Sequence, residues 1–164
     1  MLAGALGGFG STFVLSGLRQ ALTAMGAVYK TAPEQVIARL DELGFLERFS
    51  PGARKALTLA AHFLYGTVIG VVFGALRRTD EEPESETAAE LQGDRDDALT
   101  EGAVGAALGV LSWGANWAAW LPLAGVHPAP WTQKTPRAVL PVLDHAVYGA
   151  AWGFIYWLLT RRRA

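Results

Sequence analysis

No cysteine occurs in the 164 residues. That excludes disulfides, thiolate metal sites and cysteine nucleophiles together, and leaves the redox compartment unread. Histidine is scarce, with three in all. No Gly-rich phosphate loop, H-E-x-x-H motif or Ser-His-Asp arrangement is present. Two histidines without an acidic cluster beside them do not make a metalloenzyme, so no catalytic or metal-ligating residue is assigned and enzyme activity is not expected. Charge is also missing over long distances: Leu2 to Leu18 carries none, and neither Asp, Glu, Lys nor Arg interrupts Ala56 to Leu76.

What is present in quantity is apolar. Hydrophobic residues make up 51% of the chain, beside 19 glycines and 6 tryptophans, and the mean hydropathy is +0.23. Glycine lets membrane helices approach closely, and tryptophan collects at membrane interfaces. The length fits one domain. The net charge of −1 hides a partition. Asp80, Glu81, Glu82, Glu84, Glu86, Glu90, Asp94, Asp96 and Asp97 crowd one stretch against the single base Arg95, so the remainder is basic. The bases stand at the ends of apolar segments, which speaks for a bilayer partner and against nucleic acid.

The patterning predicts an all-α membrane protein in one domain over 1–164. Four transmembrane helices are expected at 2–28, 54–76, 99–121 and 136–160. An interfacial amphipathic helix is expected at 33–48 and an acidic linker at 79–98. Leu2 to Leu18 is short for a span of roughly 20 residues, so helix 1 should continue through Arg19, whose long side chain can snorkel. It has neither the basic start nor the small-x-small site of a signal peptide. Thr31-x-x-Glu34 with Pro33 reads as a capping box. Val36, Ile37, Leu40, Leu43 and Leu46 then recur at helical spacing among charges, too charged to span. Ser50-Pro51 and Thr135-Pro136 each pair a cap with a first-turn proline. Glu101 is expected in the first turn of the third span, favourable on its dipole. Pro122, Pro128 and Pro130 form a stiff loop, and Pro141 should kink the last span.

One signature occurs twice. His62-Phe63-Leu64-Tyr65-Gly66 with Gly70 and Phe73 matches His145-Ala146-Val147-Tyr148-Gly149 with Gly153 and Tyr156. Both read His-x-x-Tyr-Gly-x-x-x-Gly-x-x-aromatic. Gly4-Ala5-Leu6-Gly7 similarly resembles Gly102-Ala103-Val104-Gly105. Two duplicated helical hairpins of equal orientation follow, related by a pseudo-twofold along the membrane normal. Arg77-Arg78 and Arg161 to Arg163 lie tightest against helix ends, which favours both termini in the cytoplasm.

Gly66, Gly70 and Gly74, Gly149 and Gly153, and Gly105 and Gly109 with Ser112 and Asn116 are expected to pack helices. His62 and His145 have three readings: hydrogen bonds that lock the hairpins, a proton relay with Asp144 nearby, or the axial pair of a b-type haem. Asn116, Asp144 and Arg19 are the other polar groups at membrane depth. The tryptophans Trp113, Trp117, Trp120, Trp131, Trp152 and Trp157 are read mainly as an aromatic belt.

The run Trp120-Leu121-Pro122-Leu123-Ala124-Gly125-Val126-His127-Pro128-Ala129-Pro130-Trp131, with Asp144-His145-Ala146-Val147-Tyr148-Gly149, resembles the second half of the YagU-like bacterial inner-membrane proteins. It covers about a third of the chain. Asp144 stands where that family has glycine, and the acidic stretch is this chain's own. The resemblance implies a small multi-pass protein of the bacterial inner membrane and supplies no catalytic residue. The function expected is a structural or accessory bundle protein, alone as a homo-oligomer or within a larger membrane complex. The alternatives are proton, ion or small-solute handling through His62 and His145, and haem binding.

Overall fold

The computed structural model describes residues 1–26, 31–79 and 94–160; most of the acidic stretch lies outside the described residues. All regular structure described is helical, with no strand. Helix α1 is Leu2–Ala24, α2 Ala32–Glu42, α3 Pro51–Thr79, α4 Asp94–Trp113 and α5 Thr135–Thr160. From α4 the chain runs on through a π-helical segment, Gly114–Trp120, and a last turn, Leu121–Leu123.

Helix starts follow local chemistry. At α2 the Glu34 N–H donates to Thr31 Oγ1, while the Thr31 N–H donates to Glu34 Oε2 at 2.6 Å, a reciprocal capping box. At α3 the Ala53 N–H donates to Ser50 Oγ at 3.2 Å, with Pro51 in the first position.

Helix ends correct the sequence boundaries. Gly26, Gly44 and Gly125 have φ of 72°, 82° and 68°, left-handed conformations that glycine reaches without a Cβ penalty. Helix α1 therefore ends at Ala24 rather than 28. At Gly44 the Phe45 N–H returns to Leu40 O and the Gly44 N–H to Asp41 O. This Schellman closure ends α2 at Glu42 instead of 48. Gly125 closes the α4 continuation in the same manner, through Val126 to Leu121 and Gly125 to Pro122. At its other end α4 starts at Asp94, inside the expected linker and before the expected Leu99. Glu101 is thus about two turns inside the helix rather than in its first turn. It pairs with α3 instead of the α4 dipole: Arg77 Nε donates to Glu101 Oε2 at 3.1 Å.

Two hairpins, α1–α3 and α4–α5, are each sealed by glycine. A Cβ at Gly8 would meet the Gly66 carbonyl and lie 2.9 Å from Gly70 Cα; one at Gly4 would lie 2.5 Å from Gly70 O and 3.0 Å from Gly74 Cα. In the second hairpin a Cβ at Gly105 would lie 3.0 Å from the Gly149 carbonyl carbon and 3.0 Å from Gly153 N; one at Gly109 would meet the His145 carbonyl. Gly8 thus occupies the place of Gly105 and Thr12 that of Gly109. The sequence alignment of Gly4–Gly7 with Gly102–Gly105 is shifted by one residue from these contacts.

The hairpins join through α1 and α5. Trp152 is fully buried, with its ring against Gly7, its Nε1–H donating to Gly4 O at 3.1 Å, and Phe73 and Tyr156 on either side. It is a core residue, not part of an aromatic belt. Tyr148 Oη–H donates to Gly66 O at 2.8 Å. The symmetry-equivalent pair, α3 and α4, scarcely touches. The pseudo-twofold therefore relates the hairpins internally but not how they meet. Ile69 stands in the first copy where Trp152 stands in the second, so only one of the two possible seams has its anchoring indole. The helices form an arc in the order α3, α1, α5, α4, open between its edges.

Among the described residues one helical stretch, Pro51–Arg77, is long and apolar enough to cross a membrane by length and composition.

Candidate functional site: a cavity between the hairpins

The open side of the arc holds a cavity of about 260 Å³. His62 and Tyr65 of α3 line one wall. Ser112, Asn116, Trp117 and Trp120 line the other, with Thr12, Leu15 and Arg19 of α1 and His145 and Tyr148 of α5 between them, and Ala32, Pro33 and Val36 of α2 at the end away from the chain termini. The space is blind towards the chain termini. There the Tyr148–Gly66 hydrogen bond and the Trp152 cluster close the bundle.

Arg19 and Asp144 carry the strongest electrostatics. Arg19 Nε lies 3.1 Å from Asp144 Oδ2, joining α1 to α5. The two residues are 6% and 2% exposed. Arg19 does not snorkel to a helix end; it turns inward and lines the cavity. Burying both charges is costly even when they meet, and pairing offsets that cost only in part.

His62 and His145 share this cavity. Ser16 Oγ donates its single proton to Thr12 O at 2.7 Å, so His62 Nε2 at 3.2 Å is the donor towards Ser16. His145 Nδ1 lies 2.6 Å from Pro141 O, a pure acceptor. Its proton therefore sits on Nδ1, and Nε2 has a free lone pair. Each ring is held by a backbone-anchored bond while remaining on the cavity wall.

Asn116 is placed by a feature the sequence reading missed. Pro122 has no N–H for Ala118 O, and its ring crowds the preceding turn. The helix widens, and the Leu121 N–H reaches Asn116 O across five residues. Asn116 Nδ2 donates to Ser112 O at 2.6 Å, and its Oδ1 accepts from Trp120 Nε1. The proline within an otherwise helical run was the available signal. His127 was likewise passed over: its ring packs on Trp117 with centroids 4.1 Å apart, and Nδ1–H donates to Pro128 O at 2.7 Å.

The glycines that follow each histidine pack helices, as expected, and leave no room there for a haem. Thr12 Oγ1 fills the place of a Gly66 Cβ, and the Gly105 carbonyl that of a Gly149 Cβ. Both are helix contacts, and His62 Nε2 is engaged with Ser16. At about 260 Å³ the space is below the range of roughly 300–1,000 Å³ usual for ligands of drug size. The residues present do not fit a bis-histidine haem. Among the described residues no group of three or more His, Asp or Glu is arranged to hold a metal.

No family model, curated protein or solved structure matches the chain.

Proposed function

We propose that the protein is a four-span bacterial inner-membrane protein that holds a small solute between its two hairpins. The observation that carries the proposal is the buried Arg19–Asp144 pair, whose Arg19 lines a cavity shared by His62 and His145.

The membrane part rests on the outer surface. Phe9, Phe13, Leu64, Val68, Val72, Leu111, Val147, Phe154 and Leu158 are all exposed and spread over α1, α3, α4 and α5. A soluble monomer rarely exposes so much contiguous apolar surface. At 1.5 Å per residue, helices of 23, 29 and 26 residues for α1, α3 and α5 reach across a hydrocarbon core of roughly 30 Å. Helix α2, too charged to span, lies at the mouth of the cavity on the side away from the termini. With both termini cytoplasmic, as the arginine clusters favour, that mouth faces the periplasm.

The alternative of an oligomeric or accessory bundle pairing through glycine faces finds those faces occupied within the chain. Solute handling is therefore the better reading, in a state open to one side only.

Two experiments test it. In this cysteine-free chain, Glu42→Cys in intact spheroplasts should react with a membrane-impermeant maleimide, and Ser85→Cys only after permeabilisation. The reverse pattern inverts the orientation, and labelling of both from one side sinks the four-span reading. For the cavity, phenylalkyl alcohols, amides and acids are titrated into full-length protein in nanodiscs. Binding at one site that Ala61→Trp abolishes is expected; no binding by any of them contradicts the solute reading.

A further inference from the structure

Resting on the reading of the cavity as a solute site, we infer that its ligand is a monocarboxylic acid with an apolar body, whose carboxylate meets Arg19 beside Asp144. Size comes first. A cavity of about 150 Å³ accepts benzene; scaled from that, about 260 Å³ holds roughly ten non-hydrogen atoms. Trp117, Trp120, Tyr65, Leu15 and Val36 supply apolar lining that suits a ring or short chain beside the polar groups.

The head group follows from Arg19. Its guanidinium is a planar fork that matches a carboxylate or a phosphate through two parallel hydrogen bonds. Asp144 approaches it at Nε, and Arg19 itself lines the cavity. A phosphate monoester would bring up to about two negative charges into a space walled mostly by carbon.

Charge balance then dictates a proton. Arg19 and Asp144 together are neutral, and a ligand carboxylate adds one negative charge. The ionisable groups facing that point are Glu34 from α2, His62 and Tyr65 from α3, and Asp144, His145 and Tyr148 from α5. Among the described residues, α4 and its π-helical continuation add Ser112 and Asn116. An uncompensated second carboxylate in a low-dielectric site is strongly disfavoured. The imidazoles, or Asp144 displaced from the guanidinium, take up one proton from solution as the anion enters. The acid is thus bound as carboxylate plus proton, a neutral sum.

The test uses full-length protein in phosphatidylcholine nanodiscs, titrated calorimetrically with 3-phenylpropionate and 3-phenylpropanol in two buffers of different ionisation enthalpy. The acid should bind at least about tenfold more tightly than the alcohol, the size of a charge-assisted hydrogen bond, with about one proton taken up. The pair-neutral variant Arg19→Gln/Asp144→Asn should lose the preference while binding the alcohol within about twofold. Arg19→Lys, which keeps the charge but not the fork, should weaken the acid about tenfold and retain the fold. Equal binding of acid and alcohol, acid binding without proton uptake, or an unchanged Arg19→Lys overturns the inference and leaves the solute reading standing. No binding of either compound sinks that reading as well.

Discussion

At the scale of single residues, what matters is whether an atom can be added or removed where helices touch. Gly105 lies against Gly149 and Gly153, whereas a Cβ at Gly17 meets nothing within 4 Å. Gly105→Ala should therefore push α4 off α5 and cost about 1–3 kcal/mol. Gly17→Ala should stabilise α1 by up to about 1 kcal/mol through helix propensity. Thermal unfolding in detergent checks both, and equal effects would mean the glycine seam is not where the hairpin closes. The Arg19–Asp144 pair behaves differently. Removing Arg19 alone strands a buried carboxylate and should cost about 3–5 kcal/mol. Replacing both partners by leucine should recover most of that loss, as a double-mutant cycle would measure. An additive cycle would place the two charges out of contact.

At the scale of elements, helix starts and stops carry different amounts of local information. Thr31 and Glu34 lie within one turn and satisfy each other's backbone, so the start of α2 was legible in four residues. Thr31→Ala should cost about 1 kcal/mol and speed amide exchange in residues 34–42 about fivefold, leaving α5 unchanged. Exchange that speeds equally in both would show that α2 does not open by itself. Helix ends were less legible. Gly26, Gly44 and Gly125 stop helices through positive φ, but in a chain with 19 glycines a stop looks like a packing residue. The widened turn at Gly114–Trp120 was hidden because its cause, Pro122, had been read as a loop residue. The repeat placed His62 and His145 at equivalent positions from sequence alone. That they share one cavity depends on which seam joins the hairpins, and Trp152 against Ile69 decides that only once both pack.

At the scale of the whole molecule, two copies of one hairpin produce an arc because one seam is filled and its counterpart is not. Arg77 and Glu101 bridge the open edges at the end bearing the termini; the cavity occupies the other end. Glycine pairs close each hairpin so tightly that large side chains are left on the outer surface, facing lipid on this account. The central claim is that one face of α3 meets water inside the cavity while another meets hydrocarbon. Ala61 lines the cavity and Leu64, 66% exposed on the same helix, points outward. Thiols react with maleimide as thiolates and need water to ionise. The decisive measurement is the labelling rate of Ala61→Cys and Leu64→Cys by a charged maleimide in native membranes. Rapid labelling of position 61 beside an inert 64 is the result predicted; comparable labelling of both would place α3 in water and contradict the account.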